Sequence, residues 1–328
     1  VTIHKTESRD EWLKLRHKYV SSTEQAALHG LSPYITAFEL YHDKKKSEPT
    51  EFEQSERMQW GQRQEESVAR GIAEDYGVKV RKLNNYVSKD GTGMGASFDY
   101  EIVGTKDGDE PPAGNMLRDM YDAYGPGILE IKTVDWLIYK RQWKADDEES
   151  PAEAPPHIEI QVQAQLHVIE RKWAAIGVLV GGNSLNLLVR EYDPDVGAAM
   201  ELKTKQFWKD IAAGKTPAPT LPQDADLIAH LYSFGDPAKV LDAQGNAEIL
   251  SLLKEYADAQ LLEKGAENRK QTAKAKLLML IGDASRVIAD EGYKMSAGTV
   301  AETTVPAYTR KAYRLVRVTK GKQSGKDD

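Results

Sequence analysis

An α/β fold, a mixed central sheet flanked by helices, is predicted by three features of this chain. Helical periodicity dominates up to Gly77, alternating β-branched and aromatic residues take over after it, and a helical segment returns between GILEIKTV and WAAIGVLVGG. A Pro- and Thr-rich stretch, KTPAPTLPQD, then leads into a C-terminal part of different texture, predicted to be a helical hairpin followed by a β-ribbon.

Residues 8–46 read as short helices: EWLKLRHKYV, then EQAALHG behind a Ser-Ser-Thr start signal, then TAFELYHDKKK after Pro33. From Met58 to Tyr76 the spacing predicts one amphipathic helix with Gly61, Glu65, Val68, Ile72 and Tyr76 on its core side, the glycine leaving room for a close approach. VKVRKL, YVSKD and MGASFDYEIVG predict strands with a DGTG turn among them, and GILEIKTV predicts another beyond a polar stretch from Thr105 to Pro126. An acidic loop, ADDEESPAEAPP, precedes the helix HIEIQVQAQLHVIER. The strands WAAIGVLVGG and SLNLLVREY and a helix from about Asp195 to Ala213 complete the core. Beyond the linker a long charged periodic segment, broken near Gly265, predicts the hairpin, and YKMSAGTVAETTVPAYTRKAYRLVRVTK alternates like a ribbon. No internal repeat is present. The expected division is a core over 1–216, a linker over 217–244 and an accessory region over 245–328.

The chain of 328 residues is 40% hydrophobic and 29% charged, enough to bury a proper core. It holds no apolar run long enough to span a bilayer and no apolar core of a secretory signal in VTIHKTESRDEW, so a cytoplasmic protein without membrane contact is expected. The absence of cysteine excludes disulfides, thiol nucleophiles, cysteine-ligated zinc and iron–sulfur clusters. With seven histidines and no HExxH, any metal is expected on oxygen ligands. The net charge is −7, but Gly292–Asp328 holds eight Lys/Arg against three Asp/Glu, leaving about −12 on the rest. A basic appendage on an acidic body results, with Lys294, Arg310, Lys311, Arg314, Arg317 and Lys320 on or beside the expected ribbon as candidate DNA or subunit contacts.

Two strands carry the chemistry. In SFDYEIV, alternation puts Phe98, Tyr100 and Ile102 on one face and Asp99 and Glu101 on the other; in ILEIKTV, Leu129, Ile131 and Thr133 oppose Glu130 and Lys132. If the two carboxylate faces coincide and the Glu65 helix packs across them, Glu65, Asp99 and Glu130 form an oxygen cage beside Lys132. Such a cage suits Mg²⁺, which relies on few carboxylates plus substrate phosphate, and the reaction expected is metal-assisted phosphodiester hydrolysis. Taken singly, Glu130 and Lys132 equally fit a solvated salt-bridged strand face, and Glu65 a boundary position with its head in water. Gln163 and Gln165 fit a helix face and a packing contact, and Trp136 and Tyr139 fit core positions better than base-stacking platforms.

The arrangement resembles the PD-(D/E)xK nuclease superfamily and, within it, the YqaJ-type viral recombinases of the phage lambda exonuclease-like family, in order through about residues 10–195. WLKLR followed by VSSTE is similar to the entry motif that holds a 5′-terminal phosphate, which implies that role for Arg16, Ser21 and Thr23; GLSPYIT with Lys44 downstream is also similar to bacterial members. GQRQEESV resembles the G-x-x-x-E helix motif and implies Glu65 as a metal ligand; SFDY implies Asp99; LEIK implies Glu130, Lys132 and the Ile131 carbonyl; IQVQAQL implies Gln161. The resemblance further implies a restriction-endonuclease-like core, Mg²⁺ with Mn²⁺ as a substitute, and 5′-to-3′ digestion of one strand from double-stranded DNA ends. It also implies a homo-oligomeric ring and a single-strand annealing protein as partner in phage-type recombination. An endonuclease or nickase, or a catalytically silent DNA-binding scaffold, is the alternative. Two departures stand out: Asp99 and Glu130 are 31 positions apart (130 − 99), the excess reading as an insertion at a hairpin tip over 105–126, and an extra portion follows about Pro217.

Overall fold

The computed structural model describes residues 1–50, 54–108, 111–143, 153–302, 316 and 318. The chain divides into two units, Val1–Ala225 and Asp226–Asp328. Among the described residues no helix is long and apolar enough to cross a membrane.

The first unit begins with β1 (Thr2–His4), α1 (Arg9–Lys18), β2 (Val20–Ser21), α2 (Gln25–Leu28) and α3 (Ala37–Lys44). α1 starts at Ser8, whose hydroxyl accepts the Glu11 N–H, and α3 starts on a capping box in which Thr36 and Glu39 accept each other's backbone N–H. Next come α4 (Glu56–Asp75), β3 (Val78–Lys82), β4 (Tyr86–Lys89), β5 (Met94–Ala96), β6 (Tyr100–Thr105), α5 (Met116–Tyr124), β7 (Gly127–Val134), α6 (Trp136–Gln142) and α7 (Pro156–Ile169). β8 (Trp173–Val180), β9 (Ser184–Glu191) and α8 (Pro194–Ala212) follow. The second unit holds all but the first residue of α9 (Ala225–Leu231), then α10 (Ala247–Ile281), β10 (Arg286–Ile288), a 3₁₀ turn at Asp290–Gly292 and β11 (Lys294–Ser296).

The main sheet has the order β3-β6-β7-β8-β9; β7 and β8 are parallel and the other pairs antiparallel. Parallel neighbours need a crossover, and α7 supplies it. α4 and α5 cover one face, where Val68, Ala69, Ile72 and Leu117 pack against Ile102, Leu129, Ile131 and Trp173. α7 covers the other, with Ile158, Val162, Leu166 and Val168 against Ile128, Ala174, Ile176 and Val178. On its far side α7 meets a smaller sheet, β1-β4-β5-β2, through Val87, Met94 and Ala96. This is a restriction-endonuclease-like core: helices, mixed sheet, helix, second sheet.

Four expectations need correction. SFDYEIV is not one straight strand. The chain leaves the small sheet at Ala96 and enters the main sheet at Tyr100, so Phe98 packs with the α7-side core while Tyr100 and Ile102 pack with α4. Glu101 does not share the site with Asp99; it is 2% exposed and clamped by Arg81 at 2.6 Å and Arg171 at 2.5 Å. The Thr105–Pro126 stretch is more than a hairpin tip, because it contains α5, anchored by fully buried Leu117 and by the Tyr121 hydroxyl donating to the Val103 carbonyl. The helical hairpin is one uninterrupted helix, α10, of 35 residues. Gly265 costs about 1 kcal/mol relative to alanine, too little to break a run of Leu, Lys, Glu, Ala and Gln without proline, and Asn246 caps its start. Of the expected ribbon, Arg286–Ile288 pairs with Lys294–Ser296; Arg310, Lys311, Arg314, Arg317 and Lys320 lie outside the described residues, as does the DDEES run.

Candidate active site

β7 outruns its neighbour. The ladder with β6 ends at Tyr100 opposite Leu129, while β7 stays paired with β8 from Ile128 to Val134. From Glu130 onward one edge of a central strand therefore lacks a strand partner, and the Asp99 carboxylate takes the place of the missing ladder contact. Its Oδ2 accepts the Ile131 N–H at 2.8 Å. The N–H and C=O of one residue in an extended strand point the same way, so the Ile131 carbonyl faces the same notch. The break in the chain at Ser97–Asp99, which defeats the simple alternation, is what brings Asp99 there.

On the α7 side of β7, Glu130 is 3% exposed and fully engaged. Its Oε1 accepts from Lys132 Nζ and from Gln161 Nε2 at 2.6 Å, and its Oε2 accepts from Gln165 Nε2 at 2.7 Å. Gln165 also donates to the Ser97 carbonyl at 3.0 Å, tying α7 to the segment that carries Asp99. Its own Oε1 is buried without a hydrogen-bond partner. Sequence reading gave Gln165 as a packing contact and missed this role; the signal was its place four residues, one helical turn, after Gln161. Gln163 instead holds the β9–α8 connection, donating to the Glu191 carbonyl and accepting from the Asp193 N–H. Tyr139 stacks on Trp143 and packs on the core, whereas Trp136 is 53% exposed with the Lys140 ammonium 4.3 Å from its ring centre.

Glu65 reaches the same notch as Asp99 and Glu130, whose charges act on it, but from the other side of the sheet. α4 packs on the Leu129/Ile131 face, opposite the one that carries Glu130 and Lys132. Glu65 thus approaches the notch from the other side, and its Oε2 lies 3.6 Å from Lys82 Nζ. Gly61 is not needed for the approach, since a Cβ there would make ordinary contact, 3.6 Å from Thr133 Oγ1.

The electrostatics mark the notch as short of positive charge. Burial, reinforced by Glu130, pushes the Asp99 carboxyl well above the ordinary carboxylate range. Burial also raises Glu65, against the opposing pull of Lys82. Burial works to lower Lys132, but Glu130 and Asp99 outweigh it and hold the ammonium charged. Among the described residues no three His, Asp or Glu side chains form a ready-made metal group. The donor chemistry nevertheless fits a hard divalent cation: Asp99, Glu130 and the Ile131 carbonyl supply oxygens at one notch, and Glu65 would join on leaving Lys82.

A second cluster gathers at the end of α1. Arg16 donates from an Nη to Thr23 Oγ1 at 3.0 Å, and Ser21 Oγ lies 3.1 Å from the same oxygen. The structure therefore brings together Arg16, Ser21 and Thr23. It adds Glu24, the last residue of VSSTE, and Lys44, which the resemblance had singled out without a role, as their ion-pair partners.

A restriction-endonuclease-like core with an acidic notch at the unpaired end of its central strand is an architecture able to hold a cation beside a phosphodiester. Residues 11–172 match the YqaJ-like viral recombinase domain, 162 of 328 residues. The chain is 30% identical over 215 residues to the uncharacterized protein YqaJ of Bacillus subtilis, covering 64% of this chain and 59% of that protein's length. Among solved structures it is similar to an alkaline exonuclease from Laribacter hongkongensis, with 18% identity, TM-score 0.45, and coverage of 67% of this chain and 99% of the other. It is also similar to a phage-related exonuclease from Haemophilus somnus, with 12% identity, TM-score 0.38, and coverage of 62% and 99%.

Proposed function

We propose that this chain is a Mg²⁺-dependent DNA exonuclease that digests one strand of linear duplex from its 5′ end, leaving 3′ single strands. The observation that carries the reading is the notch on β7, where Asp99, Glu130, the Ile131 carbonyl and the charged Lys132 meet at an edge free of a strand partner. Asp99, Glu130, the Ile131 carbonyl and, after rotation, Glu65 would hold the ion. When bound, the cation supplies Lewis-acid polarisation of the phosphoryl oxygen and lowers the pKa of a water. Lys132 holds a proton-bearing ammonium at the notch, where it orients the attacking water and balances phosphate charge. Gln161 and Gln165 fix both oxygens of Glu130, so the ligand needs no reorganisation during the reaction.

Polarity rests on the second cluster. A guanidinium can hold a terminal phosphate bidentately, and the Ser21 and Thr23 hydroxyls stand beside it to donate. Recombination as the setting, a homo-oligomeric ring and a single-strand annealing partner follow from similarity to YqaJ-like viral recombinases and belong to the same proposal. The test uses linear duplex with 5′-phosphate or 5′-hydroxyl ends, and closed circular DNA, each with and without Mg²⁺ and with Mn²⁺. Metal-dependent loss of 5′-phosphorylated linear strands with circles left intact supports the reading; cleavage of circles replaces it with an endonuclease.

A further inference from the structure

Glu24 is a buried carboxylate for which hydrolysis has no use. It is 7% exposed, yet each of its oxygens carries an ion pair: Oε1 lies 3.4 Å from Arg16 Nε and Oε2 2.8 Å from Lys44 Nζ. Oε2 also accepts the Ser21 N–H at 2.8 Å. Lys44, equally buried, donates to the carbonyls of Arg16 at 2.7 Å and Tyr19 at 2.9 Å, the end of α1. The lysine, Glu24 and the last turn of α1 thus form one satisfied unit.

The geometry divides the labour within that unit. Lys44 and the Ser21 N–H together would satisfy one oxygen of Glu24; the other faces Arg16. It meets the guanidinium at Nε, the nitrogen nearest the stem, and leaves the terminal nitrogens forward, one of them on Thr23. The Trp12 ring, 5.3 Å from the guanidinium carbon, flanks the plane. A guanidinium anchored at Nε loses rotamer freedom before the ligand arrives, so less is lost on binding. Through the Ser21 backbone the same carboxylate fixes the loop that carries both hydroxyls. Lys44 and Arg16 outweigh the burial that would raise it and keep the Glu24 carboxyl below its ordinary range, hence charged.

We propose that Glu24 is the positioning residue of a phosphate-monoester site, holding Arg16 by Nε and the Ser21–Thr23 loop by its backbone so that guanidinium and hydroxyls converge on one anion. This rests on the terminal-phosphate reading above. The preference of the full chain for 5′-phosphate over 5′-hydroxyl duplex ends tests it, measured both as binding in Ca²⁺ and as kcat/KM in Mg²⁺. Glu24→Gln alone leaves buried Lys44 unpaired and risks the fold, so the informative pair is Lys44→Met, which keeps the Glu24–Arg16 contact, and Glu24→Gln/Lys44→Met, which removes both charges while the amide oxygen still accepts from Ser21. The phosphate preference is expected to survive in Lys44→Met and to fall at least about tenfold in the double variant. Equal preference in the two variants overturns the positioning role and leaves the phosphate reading standing. A wild-type protein with no preference overturns the phosphate reading, and the role of Glu24 with it.

Discussion

Gln165 is the side chain whose loss separates ligand geometry from ligand identity. It is 1% exposed and is the only group described as joining Glu130 to the Ser97 carbonyl, so a methionine of similar volume would leave packing largely intact while releasing Glu130 Oε2. Gln165→Met is expected to lower kcat on linear duplex by about 10- to 100-fold with little change in KM, read by steady-state kinetics, because outer partners of a ligand tune its orientation. A matching loss is expected for Arg16→Lys, but confined to 5′-phosphorylated ends, since a lysine keeps the charge and loses the fork. The alternation of ILEIKTV put Glu130 and Lys132 together on one strand face, whereas the Ile131 carbonyl was implied by the resemblance alone. Gln165 was passed over because its one signal, the spacing of one turn from Gln161, reads alike as a packing position in a helix that is apolar on several sides.

The helices that frame the notch show where periodicity succeeds and fails. α4 was readable because Val68 and Ile72 recur at helical spacing and are buried. Its side of the sheet was not, since an amphipathic pattern says that a face is buried and not against which partner. α5 was hidden by PPAGN, whose breaker residues masked the short apolar set around Leu117 and Tyr121. Two glycines give opposite expectations. Gly61→Ala, with ordinary contact space and a helical backbone, should raise stability by about 0.5–1 kcal/mol, read as a higher urea midpoint at unchanged m. At Gly177 a Cβ would overlap the Ile72 Cδ1, so Gly177→Ala should force that fully buried side chain out of its position and cost about 1–3 kcal/mol.

At the scale of the molecule, the division at Ala225 predicts that residues 1–225 fold alone and retain metal-dependent cleavage, checked by calorimetry and the duplex assay. If the basic residues beyond Gly292 touch phosphates, the truncated chain binds duplex less tightly, and each lost contact flattens the slope of log K against log salt by about 0.9. The shift in texture after KTPAPTLPQD made the change of organisation legible, but the continuity of α10 was not, because a single glycine in a charged segment reads alike as a break and as a tolerated interior position. Acid sensitivity is a further whole-molecule property. Burial lowers His167, which hydrogen-bonds Tyr192 and Glu201, so it contributes stability above the ordinary histidine value of 6.5 that is lost as pH falls below it. His167→Gln should therefore flatten the fall in melting temperature between about pH 7 and pH 5. The central claim is that the notch on β7 is a hydrolytic centre, and the most direct measurement compares purified wild type with Glu130→Gln on 5′-phosphorylated linear duplex with and without Mg²⁺. The account predicts Mg²⁺-dependent strand loss by wild type and a fall of several orders of magnitude in a folded variant; near-normal Mg²⁺-dependent digestion by Glu130→Gln would contradict it.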